Sequence, residues 1–432
     1  MKLITDLHIH SKYSRACSKD LDIKNLEKYA RIKGVDLLGT GDFTHPKWIK
    51  ILKDELTDNG HGIFLTKTNF PFVLQTEISL IYTQGGRGRK VHNVVLAPDF
   101  NAVDRITEEL LKRGRIDYDG RPIFKIPCPE FVRMLRNIDK RIEVIPAHIW
   151  TPHFAMFGSN SGFDSIKECF LEEAKHIHAI ETGLSSDPQM NWRLSQLDSV
   201  NIVSFSDLHS YWPWRIGREA TIFDIELTYD SLLSAIRTGK GIVSTIEVDP
   251  NYGKYHYDGH RNCNVCMGPS ESKKVNRICP VCKRPMTIGV LYRTKELADR
   301  EENYKPDNRP GFRYIMPLHE LISIYLGKGV ATKTVWAEYD KILKIGKNEY
   351  DIMLNVPRER LLSVTSAEMV DIIIKNREGK IKVKPGYDGV YGVPVFSENT
   401  DDTKASEFKQ DESEIRISKE KPKQKGLDDF FN

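Results

Sequence analysis

The sequence predicts an α/β protein whose largest part is a (β/α) barrel. Short apolar runs alternate with amphipathic segments over the first 247 residues, as strands and helices do in barrels. Metal-capable side chains recur at the ends of these runs, and active-site residues lie at the carboxyl ends of barrel strands. The 432 residues exceed a barrel of roughly 250 residues, so accessory units are expected.

The first two strands and the helix between them show the predicted unit most clearly. Ile23, Leu26 and Ala30 follow helical spacing, and Gly34 is positioned to end that helix. The expected strands span residues 3–10, 35–42, 72–78, 91–97, 142–147, 178–181 and 202–206. The expected helices span about 130–137, 164–174 and 191–197 in the barrel region and 316–326 and 366–376 beyond it.

Composition divides the chain into five parts. They are a metal-dependent phosphoesterase barrel (1–247), a cysteine-rich zinc module (248–310), a small C-terminal α/β domain (311–396), a tether (397–423) and a terminal peptide (424–432). The tether is charged and almost free of apolar side chains. Such a segment buries too little surface to offset chain entropy, so we expect it to be disordered.

Charge and cysteine usage bound the function without specifying it. The net charge of +4 and the pI near 8.5 permit a nucleic-acid partner but do not require one. The N-terminus lacks a secretory pattern, and no apolar segment approaches the ~20 residues that span a bilayer, so a cytoplasmic, nucleoid-associated protein is expected. Two Cys-x-x-Cys pairs among seven cysteines favour metal binding over disulfides.

Imidazoles and carboxylates at the strand ends form the candidate metal site. His8 and His10 lie two residues apart in a strand and therefore face the same side, while Glu77 has two oxygens and suits bridging. The alternative for any one of them is an ordinary polar residue at a strand end. The candidate ligands are His8, His10, Asp42, His45, Glu77, His92, His148, Asp207 and His209.

These motifs, in this order, resemble those of the PHP superfamily of polymerase and histidinol phosphatase phosphoesterases over residues 1–247. The resemblance implies a distorted (β/α)7 barrel with two or three divalent ions (Zn, Mn or Mg) that hydrolyses phosphoesters. One departure leaves open whether Asp42 or His45 is a ligand, because Phe43 follows Asp42 where many relatives have a histidine. The expected catalytic residues are His8, His10, Glu77, His148, Asp207 and His209.

The second part carries Cys263, Cys266, Cys279 and Cys282 in two Cys-x-x-Cys pairs. This spacing predicts one structural Zn bound by the four sulfurs, with iron or free thiols as the alternatives. Nearby basic side chains are candidates for contact with a phosphate backbone, and a solvated basic surface is the alternative. These side chains are Lys273, Lys274 and Arg277.

Two segments beside the expected metal site suit nucleic acid. A Gly-rich segment at 84–90 is expected to be a flexible cationic loop, and aromatic residues follow His209. A packed aromatic lid is an equal alternative to base stacking. The candidate DNA-binding residues here are Arg87, Arg89, Lys90, Trp150, Tyr211, Trp212, Trp214 and Arg215.

The C-terminal peptide has the pattern by which peptides dock on the sliding clamp, PCNA. One helical turn aligns an aliphatic and two aromatic side chains, with a glutamine beside them. The residues are Gln424, Leu427, Phe430 and Phe431. Damaged DNA and PCNA are therefore the expected partners.

The whole chain resembles an archaeal family of DNA-repair nucleases within the PHP superfamily. The resemblance implies cleavage on the 5′ side of a deaminated base (uracil, hypoxanthine or xanthine) or an abasic site, leaving 3′-hydroxyl and 5′-phosphate ends. A small-molecule phosphatase and a non-catalytic scaffold between DNA and clamp are the alternatives.

Overall fold

A computed structural model describes residues 1–396 of the chain. The predicted tether at 397–423 and the clamp peptide at 424–432 lie outside the described residues. Within the described part, no helix is both long and apolar enough to cross a membrane.

The barrel region contains twelve strands. They are β1 (Lys2–Asp6), β2 (Leu37–Gly39), β3 (Thr57–Asp58), β4 (Phe64–Leu65), β5 (Pro71–Gln84), β6 (Arg87–Ala97), β7 (Ile123–Phe124), β8 (Glu143–Pro146), β9 (Ala179–Glu181), β10 (Asn201–Val203), β11 (Ala220–Asp224) and β12 (Ile242–Glu247). The parallel strands β1, β2 and β5 lie side by side, whereas β6 is antiparallel to both β5 and β8.

Seven α-helices connect these strands. They are α1 (Ile23–Lys33), α2 (Pro46–Glu55), α3 (Phe100–Leu111), α4 (Cys128–Ile138), α5 (Ile166–Phe170), α6 (Pro188–Trp192) and α7 (Tyr229–Thr238). The prediction for α1 is confirmed: its apolar positions are buried, Asp22 caps its start and Gly34 ends it at a φ of 95°. The helix expected at 164–174 divides into α5 and a 3-10 segment, Leu171–His176.

The mixed α/β class predicted from the sequence is confirmed, and a closed barrel stays a prediction. β9 and β10 pair in parallel with each other, apart from the main sheet. Backbone contacts connect this pair to its neighbours: the Ile149 amide donates to the Glu181 carbonyl, and Ile9 bridges Leu208 in parallel. These contacts bring the ends of β1, β8, β9 and β10 to one place.

The prediction of a flexible cationic loop at 84–90 is wrong. β5 and β6 form one long hairpin whose turn consists of Gly85 and Gly86, with φ values of 61° and 72°. Positive φ at both central residues fits a two-residue hairpin turn, and glycine adopts it without steric cost. Arg87, Arg89 and Lys90 therefore lie on a strand.

The remaining described elements follow the barrel region. They are β13 (Asp258–His260), β14 (Val265–Met267), α8 (Pro269–Lys274), α9 (Val290–Leu297), β15 (Gly311–Tyr314), α10 (Leu318–Leu326), α11 (Lys333–Leu343), α12 (Glu349–Leu354), α13 (Arg358–Leu362), α14 (Ala367–Arg377), β16 (Lys382–Lys384) and β17 (Val393–Val395). The helices expected at 316–326 and 366–376 correspond to α10 and α14. β15 pairs in parallel with β12, so the C-terminal part extends the barrel-region sheet.

A buried ion pair fixes the C-terminal helices against the barrel region. The ammonium of Lys33, at the end of α1, lies 2.6 Å from Glu349 at the start of α12, and both side chains are at most 2% exposed. Glu349 also accepts hydrogen bonds from the Leu318 amide and the Tyr339 hydroxyl. A buried charge pair requires such additional partners because both ions have lost their hydration.

Two buried carboxyls, Glu219 and Glu247, lie beneath the strand ends. Burial raises the pKa of Glu247 to about 8, and burial together with Glu247 raises the pKa of Glu219 well above its usual range. Glu247 Oε2 accepts hydrogen bonds from Thr182 and Ser204 at 3.1 and 2.9 Å. The folded chain thus holds protons here that the unfolded chain releases.

We predict that Glu247→Gln flattens the pH dependence of stability. Because the pKa of Glu247 is raised in the folded protein, the stability linked to its protonation is complete below pH 4.5 and is lost as pH rises to about 8. The free energy of unfolding of the unmodified protein should therefore fall relative to the variant over this window, by up to about 1.4 kcal/mol per pH unit. Urea unfolding at several pH values measures this difference. Glu226→Gln, at an exposed site, is the control, and parallel curves for parent and Glu247→Gln would contradict the prediction.

Candidate metal centre

The first candidate ligand group joins the segment after β1 to the middle of β5 and the loop after β10. His8 Nε2 lies 3.6 Å from Glu77 Oε1 and 3.5 Å from Asp207 Oδ1. His10 Nε2 lies 3.3 Å from Glu77 Oε2 and 3.1 Å from Asp207 Oδ1. The ligand atoms of these four residues all lie within 4.8 Å of one another. Two imidazoles and two carboxylates therefore surround a space of the size of one cation.

The second candidate group shares Glu77 with the first. Glu77 Oε1 lies 2.7 Å from His92 Nδ1 and 3.3 Å from His148 Nε2. These three residues also have ligand atoms within 4.8 Å of one another. A carboxylate common to two groups is suited to bridge two cations, as the sequence predicts for Glu77.

The chemistry of both groups fits divalent cations. His8 Nε2 and Glu77 Oε1 are buried, and neither makes a hydrogen bond of good geometry within the described residues, although His92 Nδ1 lies 2.7 Å from Glu77 Oε1. Unpaired buried polar atoms are costly, and a cation between them would satisfy both. Imidazole and carboxylate ligands suit Zn and Mn.

Carboxylates behind the imidazoles hold two of the rings in place. Glu181 accepts from His8 Nδ1 at 2.9 Å and from the His148 backbone amide at 2.7 Å. Asp42 lies 3.1 Å from His10 Nδ1 and is itself held by the amide and hydroxyl of Ser11. Such partners fix the orientation of a ligating histidine and raise its basicity.

Asp42 and His45 are placed differently relative to the two groups. Neither belongs to the two groups of clustered ligand atoms. Asp42 contacts the far nitrogen of the His10 ring, whereas His45 stacks on Tyr13 at 4.4 Å and immediately precedes α2. Asp42 is thus placed to orient His10, and His45 lies away from both groups.

Left-handed backbone conformations at the strand ends aim several of these side chains. Asp42, His148 and Asp207 have φ values of 44°, 29° and 48°. Non-glycine residues rarely adopt this region, and such strain concentrates at functional sites. Gly183 leaves room for one of them, because a Cβ there would lie 2.6 Å from His148 Cβ.

Electrostatics favour charged carboxylates at the centre. Burial opposes ionisation of Glu77, but His92 and Arg121 outweigh it and hold its pKa well below the usual range. Burial likewise opposes ionisation of Asp207, and His8 and His209 lower its pKa well below the usual value. Burial lowers the pKa of His92 to about 4 despite the nearby carboxylate of Glu77.

Arg121 is a site residue that the sequence did not indicate. It lies just before β7, and its guanidinium is 3.1 Å from Glu77 Oε2, with 22% of the side chain exposed. The only sequence signal for it is a basic residue between Gly120 and Pro122 in a loop. The pairing of β7 with β5 brings Arg121 to the site.

His209 lies at the edge of the centre and outside both ligand groups. Its ring is 4.7 Å from that of His10, its Nδ1 lies 3.0 Å from the Asp207 carbonyl, and 28% of the side chain is exposed. Of the nine candidate ligands, six come together in the two groups, Asp42 and His209 contact them, and His45 does not.

Burial contradicts four of the predicted DNA contacts. Trp150 is 1% exposed and donates to Asn191 Oδ1 at 2.8 Å, so it is a core residue. Arg89 is 4% exposed and pairs with Glu168. Tyr211 and Trp214 are buried as well, which supports the packed-lid alternative for that segment.

The remaining predicted DNA contacts keep some exposure. Lys90, Trp212 and Arg215 are half-buried, and Arg215 pairs with Glu320 at 3.2 Å. The fully exposed basic residues are Arg87, Lys273, Lys274 and Arg277.

The cysteine module does not assemble the four sulfurs that the sequence predicts. Cys263, Cys279 and Cys282 lie together with His260, with all four ligand atoms within 4.8 Å of one another. Cys266 is exposed and lies outside this group, with its Sγ 4.0 Å from the Pro385 carbonyl oxygen.

The chain is similar in sequence to one described family and to two uncharacterized proteins. The family described as MJ0043 C-terminal domain matches residues 317–380. The uncharacterized protein MJ0043 of Methanocaldococcus jannaschii is 33% identical over 253 residues; the match covers 57% of this chain, which spans only 31% of that relative's length. The uncharacterized protein YqxK of Bacillus subtilis is 28% identical over 416 residues, covering 90% of this chain and 98% of that protein.

Two solved structures are similar over nearly the whole chain. The lesion-specific endonuclease PfuEndoQ of Pyrococcus furiosus is 30% identical, with a TM-score of 0.82 over 92% of this chain and 96% of that one. An endonuclease Q in complex with a 27-mer duplex bearing an abasic lesion at its active site is also 30% identical, with a TM-score of 0.83 over 92% of this chain and 97% of that one.

The fold and the centre with its shared carboxylate, taken with these similarities, define a metal-dependent endonuclease. More particularly, the chain belongs to the endonuclease Q family. The family relationship that the motifs predict is therefore confirmed.

We predict that Glu181→Gln weakens metal binding without unfolding the protein. The amide keeps one acceptor but loses the charge that orients His8, and loss of such a partner lowers metal affinity by roughly 10–100-fold. Metal retained after dialysis against graded chelator measures the effect. Glu108→Gln, at an exposed site, is the control, and equal retention in Glu181→Gln would exclude the orienting role.

Proposed function

We propose that this chain is a DNA-repair endonuclease that hydrolyses the phosphodiester on the 5′ side of a deaminated base or an abasic site. Uracil, hypoxanthine and xanthine are the proposed bases. The observation that carries the proposal is the pair of ligand groups sharing Glu77, in a chain similar over most of its length to an endonuclease Q crystallised with an abasic duplex.

The proposed ligands are the six clustered residues. His8, His10, Glu77 and Asp207 would hold one divalent ion, and Glu77 with His92 and His148 would hold a second. Zn, Mn and Mg remain the candidate metals. Divalent ions in such a centre supply Lewis acidity toward a phosphodiester and lower the pKa of water. In the proposed reaction an oxygen from water bonds to phosphorus and the bond to the 3′ oxygen breaks, which leaves 3′-hydroxyl and 5′-phosphate ends.

Arg121 is the proposed phosphate-binding residue of this centre. Its guanidinium lies beside the shared carboxylate, and part of its side chain reaches solvent. Coulomb attraction to Glu77 and Asp207 outweighs burial and raises the pKa of Arg121, so the group stays charged. A planar guanidinium can donate two parallel hydrogen bonds to phosphate oxygens.

The exposed basic residues are proposed to contact the DNA backbone. Arg87 lies at the tip of the β5–β6 hairpin, and Lys273, Lys274 and Arg277 lie on or just after α8. Contacts of this kind supply affinity that falls with salt and carry no sequence information.

We predict cleavage only at lesions and only with metal. End-labelled duplexes with one uracil, one hypoxanthine, one abasic site or no damage should be cut 5′ to the lesion, and chelator should stop the cutting. Asp207→Asn should abolish cleavage and keep binding of the damaged duplex, because it removes a ligand rather than a DNA contact.

Product length identifies the scissile bond in the same experiment. Equal cleavage of the undamaged duplex, or product ends on the 3′ side of the lesion, would refute the proposed specificity. Undiminished cutting by Asp207→Asn would remove the metal centre from the mechanism.

We predict that Arg121→Ala lowers kcat by roughly 10²–10³ while the protein keeps its metals, because a charged donor to the phosphate is lost. Arg121→Lys should recover part of the rate, since it restores the charge without the two-pronged geometry. Single-turnover cleavage with saturating duplex measures both variants. Arg115→Ala, exposed on the same loop, is the control. Full activity in Arg121→Ala would exclude the role.

Binding to the sliding clamp is proposed from the sequence alone, through Gln424, Leu427, Phe430 and Phe431. These residues lie outside the described part of the chain. We predict that a variant with both Phe430→Ala and Phe431→Ala cuts naked oligonucleotides normally but no longer binds PCNA in size-exclusion chromatography. Replacing Asp428 by Asn is the control, and retained clamp binding in the double variant would refute the assignment.

A further inference from the structure

We propose that Tyr350, in the C-terminal helical unit, is a positioning residue for the metal centre. It fixes the Asp207 loop, defined as residues 206–218, and thereby sets the place of the Asp207 carboxylate. The helical unit consists of α10 to α14 and lies within residues 317–380, which the MJ0043 C-terminal domain family matches. The inference rests on the proposed role of Asp207 as a ligand, and it gives this unit a part in building the centre.

One carboxylate ties the two ends of the Asp207 loop together. Asp6 is fully buried and accepts hydrogen bonds from the Ser206 amide at Oδ1 and from the Gly217 amide at Oδ2, both at 3.0 Å. Arg218 completes the link, because its Nε and Nη2 donate to the Ser206 carbonyl at 3.0 and 2.9 Å. Ser206 directly precedes Asp207 in the chain. A shift of Gly217 would therefore be passed to the ligand.

Tyr350 holds the far end of this loop. Its side chain is part of α12, the residue is 2% exposed, and its hydroxyl donates to the Gly217 carbonyl. Gly217 is buried with a φ of 56°, and a Cβ there would lie 2.6 Å from Val35 Cγ2, so the peptide is enclosed between α12 and the barrel region. A buried carbonyl requires a hydrogen-bond partner, so loss of the hydroxyl favours movement of the loop.

Other contacts hold the middle of the loop against the same helices. The Pro213 carbonyl accepts from the Lys33 ammonium at 3.0 Å, and that ammonium also pairs with α12. Arg215 pairs with Glu320 of α10 at 3.2 Å. The contact of Tyr350 differs from these, because it reaches the end of the loop that is tied to the metal ligand.

Loss of one ion rather than both tests the positioning role in the full-length, metal-loaded protein. Tyr350→Phe keeps the buried ring and removes only the hydroxyl. It should release one ion per chain at a chelator concentration roughly tenfold lower than the parent does, because the partner that holds a ligand is lost. The ion of the second candidate group should stay. Metal content after dialysis against graded chelator measures this.

A matched variant controls for the loss of a hydroxyl. Tyr325→Phe removes a hydroxyl that hydrogen-bonds Ser366 within the same helical unit, and it should retain metal as the parent does. Equal retention in Tyr350→Phe and Tyr325→Phe would overturn the proposal. Release of both ions at the same chelator concentration would overturn it too, because a general loosening of the fold would then explain the loss.

Amide hydrogen exchange measures the loop directly and requires no activity. In Tyr350→Phe, peptides that cover the Asp207 loop should exchange at least roughly tenfold faster than in the parent, because local opening becomes easier when a buried hydrogen bond is removed. Peptides of α4, far along the chain, should be unchanged. Unaltered exchange in the loop would contradict the positioning role, and so would equal acceleration throughout the helical unit.

Asp207→Asn separates a failure of this inference from a failure of the proposed function. Release of one ion by Asp207→Asn with none released by Tyr350→Phe would keep the ligand assignment and refute the positioning role. Retention of both ions by Asp207→Asn would refute the ligand assignment itself. In Tyr350→Phe we also expect kcat on a damaged duplex to fall roughly tenfold with KM unchanged, because a buried residue does not contact the duplex.

Discussion

The shared carboxylate of Glu77 is the constraint on which the rest of the molecule depends. It is fully buried and lies within 3.6 Å of nitrogens from four histidines and one arginine. A lone buried carboxylate would become protonated, but these neighbours hold the pKa of Glu77 well below the usual range. The middle of β5 must therefore lie where β6 and the segments that follow β1 and β8 present their imidazoles. The arrangement of the sheet and the electrostatics of the site therefore depend on each other.

The second requirement is orientation. Glu181 and Asp42 each hold a histidine ring by its far nitrogen, so the near nitrogens turn toward the shared carboxylate. Left-handed backbone at Asp42, His148 and Asp207 directs side chains that a regular strand would send elsewhere. Next to Glu181 in the chain, Thr182 donates a hydrogen bond to the buried carboxyl of Glu247, which also accepts one from Ser204.

Outside the metal centre, aromatic residues of a kind that could stack on DNA bases pack against other parts of the protein and contribute to its stability. Trp214 and Trp336 approach to 6.0 Å between ring centres, and Trp214 stacks on Trp212 at 5.5 Å. This aromatic cluster and the ion pair of Lys33 with Glu349 connect the barrel region to the C-terminal helices. Of the aromatic residues predicted to contact DNA, Trp212 alone keeps partial exposure.

The sequence by itself determined the α/β class, the first helix with the glycine that ends it and the order of the metal motifs. Each rests on local spacing: two residues for a strand face, three or four for a helix, and a glycine at a helix end. The sequence predicted all candidate ligands at strand ends; His8, His10, His148 and Asp207 do follow β1, β8 and β10, whereas Glu77 and His92 lie within β5 and β6.

Only the tertiary structure decided which residues lie together at the candidate metal sites. Arg121 reaches Glu77 because β7 pairs with β5. His260, and not Cys266, lies with the other three cysteines, and the register of a three-residue strand pair places the two on opposite faces. Trp150 could be assigned to the core only from its surroundings. These outcomes depend on contacts between residues far apart in the chain, and local patterns contain no record of strand register or burial.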